Sequence, residues 1–117
     1  MQNQQAGLAV VKRWLGALTL FLAATGVRAG DGAAIFSAQC ASCHGSDGRA
    51  QTPAGRRSGA HDLAESRIPD AEIARRIADG VKDAGGKTKM PGFREQLSDD
   101  EIRDLVLAVK AFREAHP

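Results

Sequence analysis

The chain has 117 residues and two cysteines, Cys40 and Cys43, which stand three apart with His44 directly after them. Cys-x-x-Cys-His is the attachment signature of a c-type haem. The spacing has a chemical reason. Two thiols add across the two vinyl groups of a porphyrin, and Ala41 and Ser42 set the separation of the sulfurs. His44 then presents its imidazole to the iron from the same side. Three other chemistries use such a pair. A thioredoxin-like redox motif needs a βαβ setting, and no segment of this chain reads as a convincing strand. A structural zinc site needs four ligands in paired clusters, and there is no second cluster. A disulfide suits an exported chain, but a bridge closing so small a loop stabilises little. The pattern points to one covalently bound haem c.

A second donor is needed to close the iron. Apart from Met1, the one methionine is Met90, in a stretch rich in Gly and Lys and followed by Pro91 and Gly92. Methionine more often fills a gap in a core, but Met90 belongs to no apolar stripe. Its thioether is a soft iron ligand, His/Met ligation raises the reduction potential, and Pro91 stiffens the backbone beyond it. The competing donor is His61, which would make a bis-His site. His116 lies next to the terminus, and Lys87 and Lys89 could displace the methionine at high pH. The expected cofactor-binding residues are Cys40, Cys43, His44 and Met90, with His44 and Met90 on the metal. Both axial positions are then filled from the chain, and neither a Ser/His/Asp set nor a glycine-rich phosphate loop is present. No catalytic residue is expected.

These residues need elements to hold them. Three helical stretches emerge, which makes the fold class all-α. The first runs from about Asp31, a candidate cap, to Cys40, with Gly32 and Phe36 sharing a face. The second runs from about Asp70 to Asp79. Pro69 suits its start, Asp70 and Glu72 its first turn, and Gly80 its C-terminal cap. The third begins with a capping box, Ser98 with Glu101, and Ile102, Leu105, Val106, Val109 and Phe112 recur along one face. Ile35, Phe36, Leu63, Ile73, Ile77, Phe93 and Leu97 join that stripe as the expected core. Two long loops remain, about 45–68 and 81–97, and they read as wrapping something other than protein.

Residues 1–29 read as a cleaved secretory signal. Lys12-Arg13 precede an apolar run from Trp14 to Ala24, and Val27-Arg28-Ala29 supplies a cleavage pattern. The run falls well short of the roughly 20 apolar residues that span a bilayer, so the mature chain, 30–117, is expected to make no stable membrane insertion. Removing Lys12, Arg13 and Arg28 from the 16 basic residues leaves 13 against 14 acidic, a net of −1. That balance excludes nucleic acid as the main partner. An export signal with a c-type haem implies the periplasm.

The sequence resembles a class I cytochrome c. Cys40-Ala-Ser-Cys-His44-Gly45 and Lys89-Met90-Pro91-Gly92-Phe93 match that family's two haem-binding motifs. The resemblance implies a cytochrome c fold, three main helices and long loops around one haem, with the first and last helices crossing at Gly32 and Phe36. It also implies that a proline soon after the His-Gly pair, here Pro53, accepts the second imidazole N–H of His44. Arg49, Arg56 and Arg57 are candidates to pair with the haem propionates, since guanidinium suits carboxylates. The expected function is that of a one-electron carrier, not an enzyme. It would pass electrons between redox protein partners as a monomer or as a subunit of a redox complex, with Lys82, Lys87 and Lys89 steering encounter. The alternatives are a haem subunit of a larger dehydrogenase or oxidase, and a haem enzyme or sensor with a labile sixth ligand. Cleavage after Ala29 is checked by N-terminal sequencing of the exported protein. The expected first residue is Gly30, and a chain still beginning near Met1 contradicts the signal reading.

Overall fold

The computed structural model describes residues 31–116; the expected signal, 1–29, lies outside the described residues, as do Gly30 and Pro117. Five helices and one small antiparallel ribbon follow in order: α1 Gly32–Gln39, α2 Ala41–His44, α3 Pro53–Ser58, α4 Asp70–Asp79, β1 Val81–Lys82, β2 Thr88–Met90 and α5 Asp99–Glu114. No helix among the described residues is long and apolar enough to cross a membrane.

The three expected helices are present. In α5 the Ser98 hydroxyl accepts from the Glu101 N–H (3.2 Å) and the Glu101 carboxylate accepts from the Ser98 N–H (2.8 Å). The capping box thus satisfies two backbone donors that a helix start otherwise leaves open. Asp99, Asp100 and Glu101 place negative charge on the same turn, where the helix dipole favours it. Helix α4 starts after Pro69 and ends at Gly80, with Ile73, Ile77 and Ala78 buried. Asp31 does stand at the N-cap of α1, but its side chain makes no capping bond. Its backbone, at φ −104° and ψ 32°, is outside the extended region from which such a side chain reaches back to the helix.

Both long loops carry structure that the sequence reading left out. Helix α3 sits inside the first. The Thr52 hydroxyl accepts from the Gly55 N–H at 2.9 Å, Pro53 takes the first turn, and Gly59 closes the helix in a left-handed conformation. Thr-Pro at the start and Gly past the end are the usual signals of a helix, here only six residues long. The second loop contains the ribbon, in which Val81 pairs with Met90 and Lys82 with Thr88. Strands of two and three residues are too short for any alternation to show in the sequence.

The core is a cluster of Phe36, Ile73, Ile77, Ala78, Ile102, Leu105, Val106 and Val109, with Leu105 only 1% exposed. Ile35, Leu63, Leu97 and Phe112 pack partly buried against it. Helices α1 and α4 both pack on α5. Gly32 is buried where α1 meets α5, and a Cβ there would collide with the backbone of Asp104 and Leu105. Glycine at this position lets the two backbones touch. Further along, Phe36 meets Phe112 with its ring tilted and the centroids 4.9 Å apart, a spacing typical of favourable aromatic pairs. Replacing Gly32 by Ala forces the helices apart, and the expected cost is about 1–3 kcal/mol, measurable by denaturant or thermal unfolding of the purified protein.

Candidate functional site

A cavity of about 460 Å³ opens beside the core, within the range of roughly 300–1,000 Å³ typical of cofactor sites. Its wall brings together all four residues singled out by the sequence, Cys40, Cys43, His44 and Met90, with His61 as a fifth. Ile73, Ile77, Val81 and Phe93 supply apolar surface around them. Phe93, expected in the core, faces this cavity instead.

The first three residues are positioned by a single helical turn. Cys40 ends α1 by donating its N–H to the Phe36 carbonyl (2.9 Å), and its own carbonyl accepts from Cys43 (3.2 Å) and His44 (2.9 Å). Residues three and four apart on a helix share a face, so both thiols and the imidazole look the same way. Cys40 and Cys43 are not joined as a disulfide. Helix α3 braces this turn from outside. The Thr52 hydroxyl donates to the Cys43 carbonyl at 2.8 Å, and Gly55 lies so close that a Cβ would strike the carbonyls of Cys43 and Ala50. Among the described residues no group of three or more His, Cys, Asp or Glu side chains converges as a zinc site would require.

Met90 is positioned by the end of α4. Gly80, at φ +77°, turns the chain into β1 through a conformation that favours glycine. A Cβ at Gly80 would sit 2.5 Å from the Met90 carbonyl oxygen, and one at Gly92 2.7 Å from that of Ala78. The segment beyond Met90 is then pinned back onto α4: Phe93 donates to the Ile77 carbonyl (2.9 Å) and Arg94 to that of Ala78 (3.1 Å). Met90 is half-buried and packs against the core cluster. The sequence reading had missed that contact, because the partners come from other elements.

Burial pushes the His44 imidazole below its ordinary pKa; the backbone of His61 opposes this and the charge of His61 adds to it. A neutral imidazole is the form that ligates a metal. The Cys40 thiol is pushed up by burial and then by the neighbouring Cys43. The buried Nδ1 of His44 has no hydrogen-bond partner. Pro53 therefore does not serve as its acceptor in this structure. It is the first residue of α3, and its carbonyl is directed along that helix toward the N–H four residues on.

The arginines nominated for the propionates lie elsewhere. Arg49 faces Asp62 at 3.8 Å, Arg56 donates to the Gln51 carbonyl at 2.7 Å, and neither they nor Arg57 line the cavity. The fixed cation on its wall is Arg76 of α4, with Lys89 beside Met90. Glu72 accepts from Arg75 Nε (2.8 Å) and Nη2 (2.7 Å) and from Arg76 Nε (2.7 Å). The residues present fit a haem. They offer two thiols for thioethers, an imidazole and a thioether sulfur for iron, apolar walls for the macrocycle and cations for its carboxylates.

Comparison with known proteins gives a consistent result. The family described as cytochrome C oxidase, cbb3-type, subunit III matches residues 27–107. Cytochrome c6 of Leptolyngbya boryana is 33% identical over 78 residues, 67% of this chain and 85% of that protein. Among solved structures, the KustC0563 c-type cytochrome superposes with a TM-score of 0.61 at 29% identity, covering 70% of this chain and 96% of that one.

Hydrogen bonds from Arg75 and then Arg76 hold the Glu72 carboxyl at about 2, below its ordinary 4.5. A carboxylate depressed by folding stabilises the native state above its unfolded pKa, and that contribution is lost as pH falls toward the folded one. Glu72→Gln is expected to flatten the decline in stability between pH 4.5 and about 2. The effect is small because the three side chains are partly exposed to solvent. Acid titration of unfolding in both proteins checks it; parallel acid limbs contradict it.

Proposed function

The chain belongs to the c-type cytochrome family, and on that premise we propose that it is a periplasmic one-electron carrier with His44 and Met90 as axial ligands. Cys40 and Cys43 would hold haem c, whose iron would supply the one-electron chemistry. The observation that carries the reading is the single cavity whose wall holds both thiols, the imidazole and the thioether.

Each group of residues has a task in this reading. The turn from Cys40 to His44 fixes the cofactor's position and orientation, since its two sulfurs and its imidazole share one face. The neutral state that burial favours in His44 leaves a lone pair available. Met90 would supply the second axial donor, and the close backbone packing at Gly80 and Gly92 braces its segment against the end of α4. A coordination sphere that does not rearrange suits rapid electron exchange. With both axial donors taken from the chain, no position remains for a substrate, which favours a carrier over an enzyme. Lys82, Lys87 and Lys89 are exposed on and around the ribbon and would steer redox partners toward the cavity mouth.

Export is part of the proposal. The family match begins only at residue 27, which leaves the segment with the signal pattern almost entirely outside it. The description of that family also favours a second reading, a haem-bearing subunit of a larger oxidase, and co-purification with larger chains would distinguish it.

Met90→Ala tests the ligand assignment. The variant is expected to keep its covalent haem, lose the iron–sulfur absorption band and show a lower reduction potential. Axial ligation commands a span of roughly 0.8 V, so the drop is well within reach of potentiometric titration. An unchanged potential rules Met90 out.

A further inference from the structure

We propose that Arg113 is a positioning residue for the cofactor: through the Ile68 carbonyl it latches segment 59–68 in place as one wall of the cavity and so keeps water from the bound group. The inference rests on the haem reading above. Segment 59–68 contains no helix or strand, yet Leu63, Ser66 and Ile68 all line the cavity. A wall without regular structure keeps its shape through ties to other elements. Its first half is tied by backbone bonds, from the Ala60 N–H to the Gly55 carbonyl (2.9 Å) and from the Leu63 N–H to that of Gly48 (2.8 Å). Beyond Leu63 the bonds turn inward. The Ala64 N–H donates to Asp62 (2.8 Å), and Arg67 donates to the carbonyls of Ala64 (2.9 Å) and Ser66 (3.0 Å). At the far end the tie is Arg113 of α5, whose Nη2 donates to the Ile68 carbonyl at 3.0 Å.

Ile68 stands where the backbone has little to offer, because Pro69 follows it with no N–H to donate. Arg113 lies one turn beyond Val109 on the same helical face, and Val109 lines the cavity. Arg113 itself does not line it, so it acts on the cofactor through Ile68. The placement has a cost. The Nε of Arg113 is buried and makes no hydrogen bond, and an unsatisfied buried donor destabilises a fold. A guanidinium that served only solubility would lie outside, as the 70% exposed Arg103 does on the same helix. Lys110, three residues earlier, pairs with Asp70 in a bridge open to solvent. Such a bridge contributes little, which makes Lys110 an internal control at the same junction. Solvent access and local polarity set the potential of a metal centre. A wall that opens admits water, which favours the more highly charged ferric state and lowers the potential.

The test uses the haem-loaded protein. Mass and absorption spectra first establish one covalent haem; its absence overturns the haem reading and this inference with it, whereas the outcomes below bear on Arg113 alone. Wild type, Arg113→Met, Arg113→Lys and Lys110→Met are then compared in two ways: the rate of tryptic cleavage after Arg67, next to Ile68, and the reduction potential. Cleavage under native conditions follows the population of the opened segment. Arg113→Met is expected to speed cleavage after Arg67 about tenfold, as loss of one hydrogen bond from a charged group implies, and to lower the potential. Cleavage after Arg103, within α5, should stay at its wild-type rate. Arg113→Lys keeps the charge, and whatever share of the slow cleavage it restores, it should restore the same share of the potential. Lys110→Met should change neither. If Arg113→Met gives no loaded protein, Arg113→Gln is read in the same way. An equal rise in cleavage after Arg67 and Arg103 marks a general loss of stability and overturns the proposal. So does a change in only one of the two measurements, a potential restored by Lys while cleavage stays fast, or the same effects in Lys110→Met.

Discussion

Gly32 of α1 lies so close to the backbone of Asp104 and Leu105 in α5 that no side chain fits between them. The site depends on this contact. Helix α1 ends at Cys40, and the turn bearing both thiols and His44 grows directly from that end. Helix α4 leans on the same α5 and holds Met90 through the backbone bonds of Phe93 and Arg94 to its last turn. Two segments far apart in the chain thus meet at one cavity because both are referred to α5. A side chain at Gly32 would force α1 away from α5 and shift the Cys40–His44 turn relative to Met90.

The second constraint is the shortage of apolar material. Eight buried residues form the core cluster, three of them valine or alanine. So small a domain buries a modest share of its surface. The cavity leaves further apolar wall, from Ile73, Ile77, Val81 and Phe93, directly beside that cluster. A covalently held macrocycle would cover it and extend the core, a staple of the kind that small domains need. The same group would then serve stability and electron transfer, and the residues that hold it cannot be sorted cleanly into one role or the other.

Charge on this protein is arranged locally. With Glu72 between Arg75 and Arg76, Asp79 against Arg94 and Asp70 against Lys110, α4 is tied along its polar face by ion pairs. Exposed pairs of this kind add little stability. Their effect at Arg76 is positional, because a side chain held by one nitrogen presents the rest of its guanidinium in a fixed direction.

The local features were legible in the sequence. Cys40, Cys43 and His44 state their chemistry through spacing alone, since one turn of helix aligns them whatever the rest of the chain does. The capping box at Ser98 and Glu101, the span of α4 and the stripe from Ile102 to Val109 are likewise set by neighbours within a few residues. Helix α3 was legible too, in Thr52-Pro53 and Gly59, but it is too short for a periodic stripe. Tertiary structure alone decided that Met90 meets the core, that the ribbon pairs Val81 with Met90, and that Arg76 lines the cavity while Arg49, Arg56 and Arg57 do not. A side chain's partner depends on which face its helix turns inward. For α4 that face is set by Ile73 and Ile77 meeting α5, a contact between residues about thirty positions apart, which no local pattern records.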